Sequence, residues 1–318
     1  MNANTNISKK QITIFMIVAF TGGWILQAIA SVFANQGTLT GRSVFGILTI
    51  VNMYMPLLGV LIARISFKNM GWRPQIKKNL KWIAFSMWIP ALLSLLGALA
   101  YFAIFPSHLD TGFETFSQTL GEAGMAQLQT QGFTLETYLI LSIVMSLTSA
   151  PIFNILTAIG EEAGWRGALY PYLKERFGKT TGRVIGGVIW GVWHWPLMIL
   201  AGFEYGKDYF GAPVLGLFVF PIFTICFGIL TDHVYEKSGT ILMPALIHGA
   251  MDAWTIYGYL LKPEYADRMI LGPSLVGIIS GLPLAALAIC ICVKNKKAES
   301  ASTEVEGAPI RSGAKTTV

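Results

Sequence analysis

Residues 138–166 read YLILSIVMSLTSAPIFNILTAIGEEAGWR. From Tyr138 to Ile159 no side chain is charged, and an apolar run of roughly 17 to 25 residues is the length at which a helix crosses the hydrocarbon core of a bilayer. The run continues in helical phase into Glu161, Glu162 and Arg166. Ionisable groups at or beside membrane depth are costly and usually face an interior cavity. One stretch therefore sets the fold class and also marks where chemistry is to be sought.

Runs of the same kind lie on both sides, at 12–34, 44–65, 82–104, 184–201, 213–231, 241–260 and 270–293. With 138–159 they predict an all-α, polytopic transmembrane bundle of about eight spans in a single domain over residues 1–297. The composition agrees: of 318 residues 53% are hydrophobic and 13% charged, against about 25% charged in soluble domains. The net charge of +6 does not indicate nucleic acid, because the basic residues sit in short segments between apolar runs, where they set orientation. Lys9 and Lys10, then Lys68, Arg73, Lys77, Lys78 and Lys81, then Lys174, Arg176, Lys179 and Arg183, and finally Lys294, Lys296 and Lys297 alternate with a third loop, 105–137, that has no Lys or Arg. Both termini are thus expected in the cytoplasm of a multi-pass cell-membrane protein. The run from Ile12 to Ala34 is too long for a signal-peptide core and reads as a retained first span. The third loop is long enough to hold a short helix at the outer interface. Residues 298–318 are polar and lack aromatics, and are expected to form a disordered tail. Cys226, Cys290 and Cys292 show no paired or metal-ligand spacing and read as small buried hydrophobes.

The remaining acids and histidines in or beside the spans form a short set. Glu162 and Arg166 are four residues apart, on one helix face, so the guanidinium holds the carboxylate ionised. Glu161 is turned about 100° away with no local counter-charge, which suits a general base. His194 lies in an aromatic segment, with Trp190 one turn before it and Pro196 just after. A helix kinked at Pro196, with the histidine satisfied by a carbonyl, is the bland alternative. His248 and Asp252 again share a face, so the acid can orient the imidazole or both can meet one ligand. Gly249 and Ala250 between them equally permit a close interhelical packing pair. Asp232-His233 reads as a solvated helix end. Gathered in one pocket, Glu161, His194, His248 and Asp252 supply a base, a second proton carrier and donors for an oxyanion, a set that suits water-mediated peptide hydrolysis. Glu161, His194 and His248 are also of the donor types that hold a catalytic zinc, although no HExxH occurs, and a mechanism with no cofactor is equally open. No GxSxG is present to support a serine nucleophile.

Glu161-Glu162-xxx-Arg166, Trp190-xxx-His194 and His248-xxx-Asp252, in that order, resemble the EExxxR, FxxxH and HxxxN/D motifs of the CPBP (CAAX protease and bacteriocin-processing, or Abi) family. That family includes the type II CAAX prenyl endopeptidases. The resemblance covers residues 138–260. It implies that Glu161 with His194 activates water, that His248 with Asp252 stabilises the oxyanion, and that Glu162 and Arg166 shape the site. Family members are often described as metalloproteases. Two departures stand out: Trp190 replaces the usual phenylalanine, which changes pocket volume but not chemistry, and Asp252 replaces the more familiar asparagine, which favours a ligand or His248-orienting role.

The expected activity is intramembrane endopeptidase cleavage of a membrane-associated or lipidated peptide near the cytoplasmic side of the bilayer. A non-enzymatic peptide-binding or bacteriocin-immunity protein, and then a proton-coupled transporter, are the alternatives. No inverted repeat supports the transporter.

Overall fold

The computed structural model describes residues 7–254 and 256–306, with side chains described through residue 297. It is all-helical, and among the described residues extended pairing is confined to one bridge between Leu109 and Leu261. In chain order the helices are α1 (Lys9–Ala34), α2 (Leu39–Met53), α3 (Met55–Ile62), α4 (Ile76–Ile104), α5 (Glu114–Thr130), α6 (Leu135–Leu147), α7 (Ser149–Gly164), α8 (Tyr170–Phe177), α9 (Lys179–Trp193), α10 (Trp195–Ala201), α11 (Val214–Ser238), α12 (Leu242–Ala253) and α13 (Leu282–Glu306). Five helical stretches, counting α2 with α3 and α9 with α10, are long and apolar enough to cross a membrane; the pair from α6 to α8, bent by 58°, makes a sixth. Exposed Ile17, Val32, Leu92, Leu99, Phe218 and Ile222 face outward while Gln27, Asn52, Ser86 and Ser94 are buried. That inside-out distribution is what lipid, as solvent, selects.

Two of the eight expected runs differ. The run 241–260 is helical only through Ala253, and 270–293 becomes helical at Leu282. Between them lie two short, partly exposed 3-10 turns, Ile256–Leu260 and Pro263–Arg268, and then a non-helical stretch that packs Ile270, Leu275 and Val276 into the bundle, where such backbone is tolerated because protein covers it. Hydropathy alone does not separate such a buried irregular segment from a lipid-facing helix. In the expected tail, α13 extends to Glu306, and residues 307–318 lie outside those described. The third loop does contain a helix, α5.

Breaks in the long helices place the chemistry. Pro196 has no N–H and its ring clashes with the preceding turn, so the α9–α10 stretch breaks at His194. The backbone groups freed there are not left bare. Gln27 of α1 inserts its amide, donating from Nε2 to the Trp193 carbonyl at 2.8 Å and accepting the Leu197 N–H at 3.2 Å on Oε1. Between α7 and α8 the chain makes a single π turn, Trp165–Leu169, a feature frequent at functional sites. Helices α7 and α12 lie close together because Gly249 has no Cβ: one built there would come within 2.7 Å of the Asn154 Cβ.

The two ends of the bundle differ in charge. At one end are the start of α1, tied by Gln11 to the Arg64 carbonyl, the 63–76 loop, tied to Tyr235 and Ile241, and the α8–α9 turn. There Asp232, buried and not solvated as its sequence context suggested, accepts from Lys174 Nζ at 2.8 Å and Arg183 Nε at 2.6 Å. Burial of a carboxylate is tolerable because both cations converge on it. At the other end Asn35 joins Leu200 and Lys207, Asp110 N–H meets the Leu260 carbonyl, and Phe210 N–H meets the Asp267 carbonyl.

Candidate active site

The three motifs meet. Glu161, Trp190, His194, His248 and Asp252 line one cavity of about 520 Å³, whose wall also holds aromatic side chains including Phe203, Phe220, Phe223 and Phe227 and polar ones including Asn52 and Asn154.

Glu161 is buried, and its Oε2 accepts two indole N–H bonds, from Trp165 at 2.9 Å and Trp190 at 2.7 Å. Two donors on one oxygen fix the carboxylate plane. Among the described residues Oε1 takes no hydrogen bond, so it is the oxygen left for a ligand. Trp165 lies four residues after Glu161, so the helix itself supplies the first donor. Trp190 supplies the second across the α7–α9 interface, so the replacement of phenylalanine here does alter the chemistry, contrary to the expectation of a volume change alone. Its ring also carries the Arg166 guanidinium, 4.3 Å from the ring centre, and meets the His248 ring edge-on at 5.3 Å. Such cation–π placement stabilises a desolvated cation.

Glu162 faces the other way. Its Oε1 accepts from Arg166 Nη1 at 3.0 Å and sits 2.8 Å from His248 Nδ1. Arg166 reaches onward to the Thr231 hydroxyl, and the whole group is buried. The spacing of Glu162 and Arg166 thus reads correctly from sequence, but the residue that orients His248 is Glu162, 86 positions away. Asp252 stands 3.7 Å from the opposite ring nitrogen, Nε2, and its side chain is 37% exposed to the cavity. His248 is therefore held on Nδ1 and open on Nε2, with carboxylates on both sides.

His194 Nδ1 lies 3.0 Å from the Trp190 carbonyl. A carbonyl only accepts, so Nδ1 carries the proton and Nε2 of the neutral ring keeps its lone pair. Phe203 stacks parallel to the imidazole, with centroids 6.0 Å apart.

Among the described residues no three His, Cys, Asp or Glu side chains are close enough together to hold a metal ion. Glu161 Oε1 and Nε2 of both histidines carry no hydrogen bond among the described residues, and an Nδ1 held by a carbonyl or carboxylate is usual in a metal-ligating histidine, so it is the spacing of these groups and not their bonding that fails to make a three-ligand set. The arrangement does not fit the zinc ligand set Glu161, His194 and His248, and no step below is routed through a metal.

Residues 142–254 match the family model described as type II CAAX prenyl endopeptidase Rce1-like. Over that stretch the chain is similar to the CAAX-protease family. No curated protein matches it. The matched segment holds all three motifs and runs from α6 to the end of α12. Sequence reading missed three residues that matter. Trp165 carries the signal of i,i+4 spacing from Glu161. Gln27 is a single amide in an otherwise apolar stretch of α1. Glu204, half-buried in the α10–α11 loop with φ of 71°, joins the cavity lining with no local signal at all.

Proposed function

We propose that this integral membrane protein is an intramembrane endopeptidase of the CAAX-protease type, resident in the cell membrane, that hydrolyses an apolar, membrane-associated peptide by a metal-free glutamate–histidine mechanism. The observation that carries the reading is the Glu161 carboxylate, immobilised on one oxygen by two indoles and left open on the other toward a cavity shared with two histidines. Glu161 Oε1 and His194 Nε2 are both acceptors, and together they hold a water and remove its proton as it attacks the scissile carbonyl. His248, doubly protonated between the Glu162 and Asp252 carboxylates, keeps Nδ1–H on Glu162 and donates Nε2–H to the oxygen that becomes negative. Glu161, now carrying the proton, delivers it to the leaving amine. Phe203, Phe220, Phe223 and Phe227 exclude bulk water and accept an apolar chain, a setting in which each of these polar contacts strengthens.

The test compares peptide termini in membranes carrying the wild type or Glu161→Gln at matched expression. The amide keeps shape but cannot accept the proton, so termini present only with the wild type are expected. Identical termini in the two membranes would overturn the reading and leave a peptide-binding protein in its place.

A further inference from the structure

The cavity is not symmetric between the two ends of the bundle. Below Glu161, toward the end that carries the basic loops, the packing is closed: Glu162, Arg166, Tyr170, Arg183, Thr231 and Asp232 all have 0% exposure. Arg166 stands over the Tyr170 ring at 4.8 Å, and the Asp232 ion pairs with Lys174 and Arg183 lie beneath. Nothing the size of a peptide passes this floor. Other parts of the lining come from the other direction: Phe45 at the middle of α2, Glu204 after α10, Trp254 and Gly258 after α12. Partial exposure also appears there, at Glu204, Gly258 and Asp252.

Distance along α9 agrees. His194 is 15 residues beyond Lys179 at the basic end, which is about 22 Å of helix against a hydrocarbon thickness of roughly 30 Å. The reactive groups thus lie in the half of the bundle away from the basic loops. That far end carries the Lys- and Arg-free third loop, whose Asp110 N–H, Thr115 hydroxyl and Phe116 ring brace residues 259–261 directly beyond the cavity-lining Trp254 and Gly258. Basic loops stay in the cytoplasm.

We propose that the cavity opens to the non-cytoplasmic side of the membrane, and that its substrate is an apolar segment of an exported or outward-facing membrane polypeptide. This rests on the endopeptidase reading above for the word substrate, but not for the direction of opening. It places the cut on the opposite side from a prenylated cytoplasmic tail, and it gives the third loop a role as brace of the mouth.

The test is thiol labelling in intact cells with a membrane-impermeant maleimide. Single cysteines replace Glu204 (Glu204→Cys, at the mouth), Lys207 (Lys207→Cys, in the same loop) and Lys68 (Lys68→Cys, in a basic loop), each in a chain whose Cys226, Cys290 and Cys292 are changed to serine. Positions 204 and 207 are expected to label before permeabilisation and position 68 only after it. The reverse pattern overturns the proposal. So does a chain in which 207 labels in intact cells while 204 labels under neither condition, because the cavity then has no mouth on that side. Labelling does not depend on catalysis, so the endopeptidase reading can fail in the Glu161→Gln comparison while this one stands. Where cleavage is found, cut sites in outward-facing segments are expected, and sites confined to cytoplasmic tails would overturn the substrate assignment.

Discussion

Replacing Trp190 with phenylalanine restores the residue usual in the family and removes one atom group that this chain uses. The indole N–H donates to Glu161 Oε2 at 2.7 Å, with both residues buried. The phenyl ring keeps the contact with Arg166 and the stacking on Phe227, whose centroid is 5.9 Å away, so the loss is chiefly the hydrogen bond. A hydrogen bond to a charged group is worth about 1.5–3 kcal/mol, and about 1.4 kcal/mol is tenfold in rate. Trp165 still holds the same oxygen, so the carboxylate keeps its place but gains freedom to rotate toward the lost donor. Trp190→Phe is therefore expected to lower kcat by roughly 10- to 150-fold with KM little changed, since the bond positions the base and does not contact substrate. Trp165→Phe acts on the same oxygen, and the double variant is expected to lose more than the two single effects combined. The assay is initial-rate cleavage of a peptide spanning the site found in the termini comparison, in reconstituted vesicles, with folding checked by thermal denaturation. A folded Trp190→Phe protein with unchanged kcat would refute the positioning argument.

Gln27→Leu strands the Trp193 carbonyl and the Leu197 N–H in a dry break, at about 1–3 kcal/mol for each buried unsatisfied group; a lower midpoint in thermal denaturation is expected, with kcat reduced because His194 sits in that break. Glu162→Gln removes the charge shared by Arg166 and His248, and breaking a buried ion pair from one side costs about 3–5 kcal/mol, so expression and thermal midpoint are expected to fall sharply; an unshifted midpoint would contradict the buried network. Burial, and then the nearby Asp252 carboxylate, push the Glu204 carboxyl up to about 7. The folded state thus binds this proton more tightly than the unfolded chain does, so its contribution to stability is full below the ordinary carboxylate range and is lost as pH rises to about 7. Glu204→Gln is expected to flatten that decline, read as thermal midpoint against pH; an identical pH dependence in the two proteins would refute it.

The family pattern was legible because its parts are local. Glu162 with Arg166, Trp190 with His194 and His248 with Asp252 are each four residues apart, and a helix brings such pairs to one face whatever surrounds it. Less could be read where one element answers another. That Asp252 would orient His248 was a sound local inference, yet the tighter partner is Glu162, because the close α7–α12 approach at Gly249 brings the two helices face to face. Residues 254–260 and 270–281 looked like span because they are apolar, and apolar residues serve equally well in segments that are not α-helical.

Sequence alone thus determined an all-helical membrane bundle, the candidate residues that meet in one cavity and the family they resemble. Each follows from quantities that add along the chain: transfer of apolar residues into hydrocarbon, and a period of 3.6 residues per turn. Tertiary structure decided which groups hold which. It set Trp190 and Trp165 on one oxygen of Glu161, Gln27 in the gap made by Pro196, Asp232 in a buried ion-pair floor, and the cavity away from the basic loops. Those choices depend on the rotation and depth of packed helices, where a hydrogen bond forms or fails over a few tenths of an ångström.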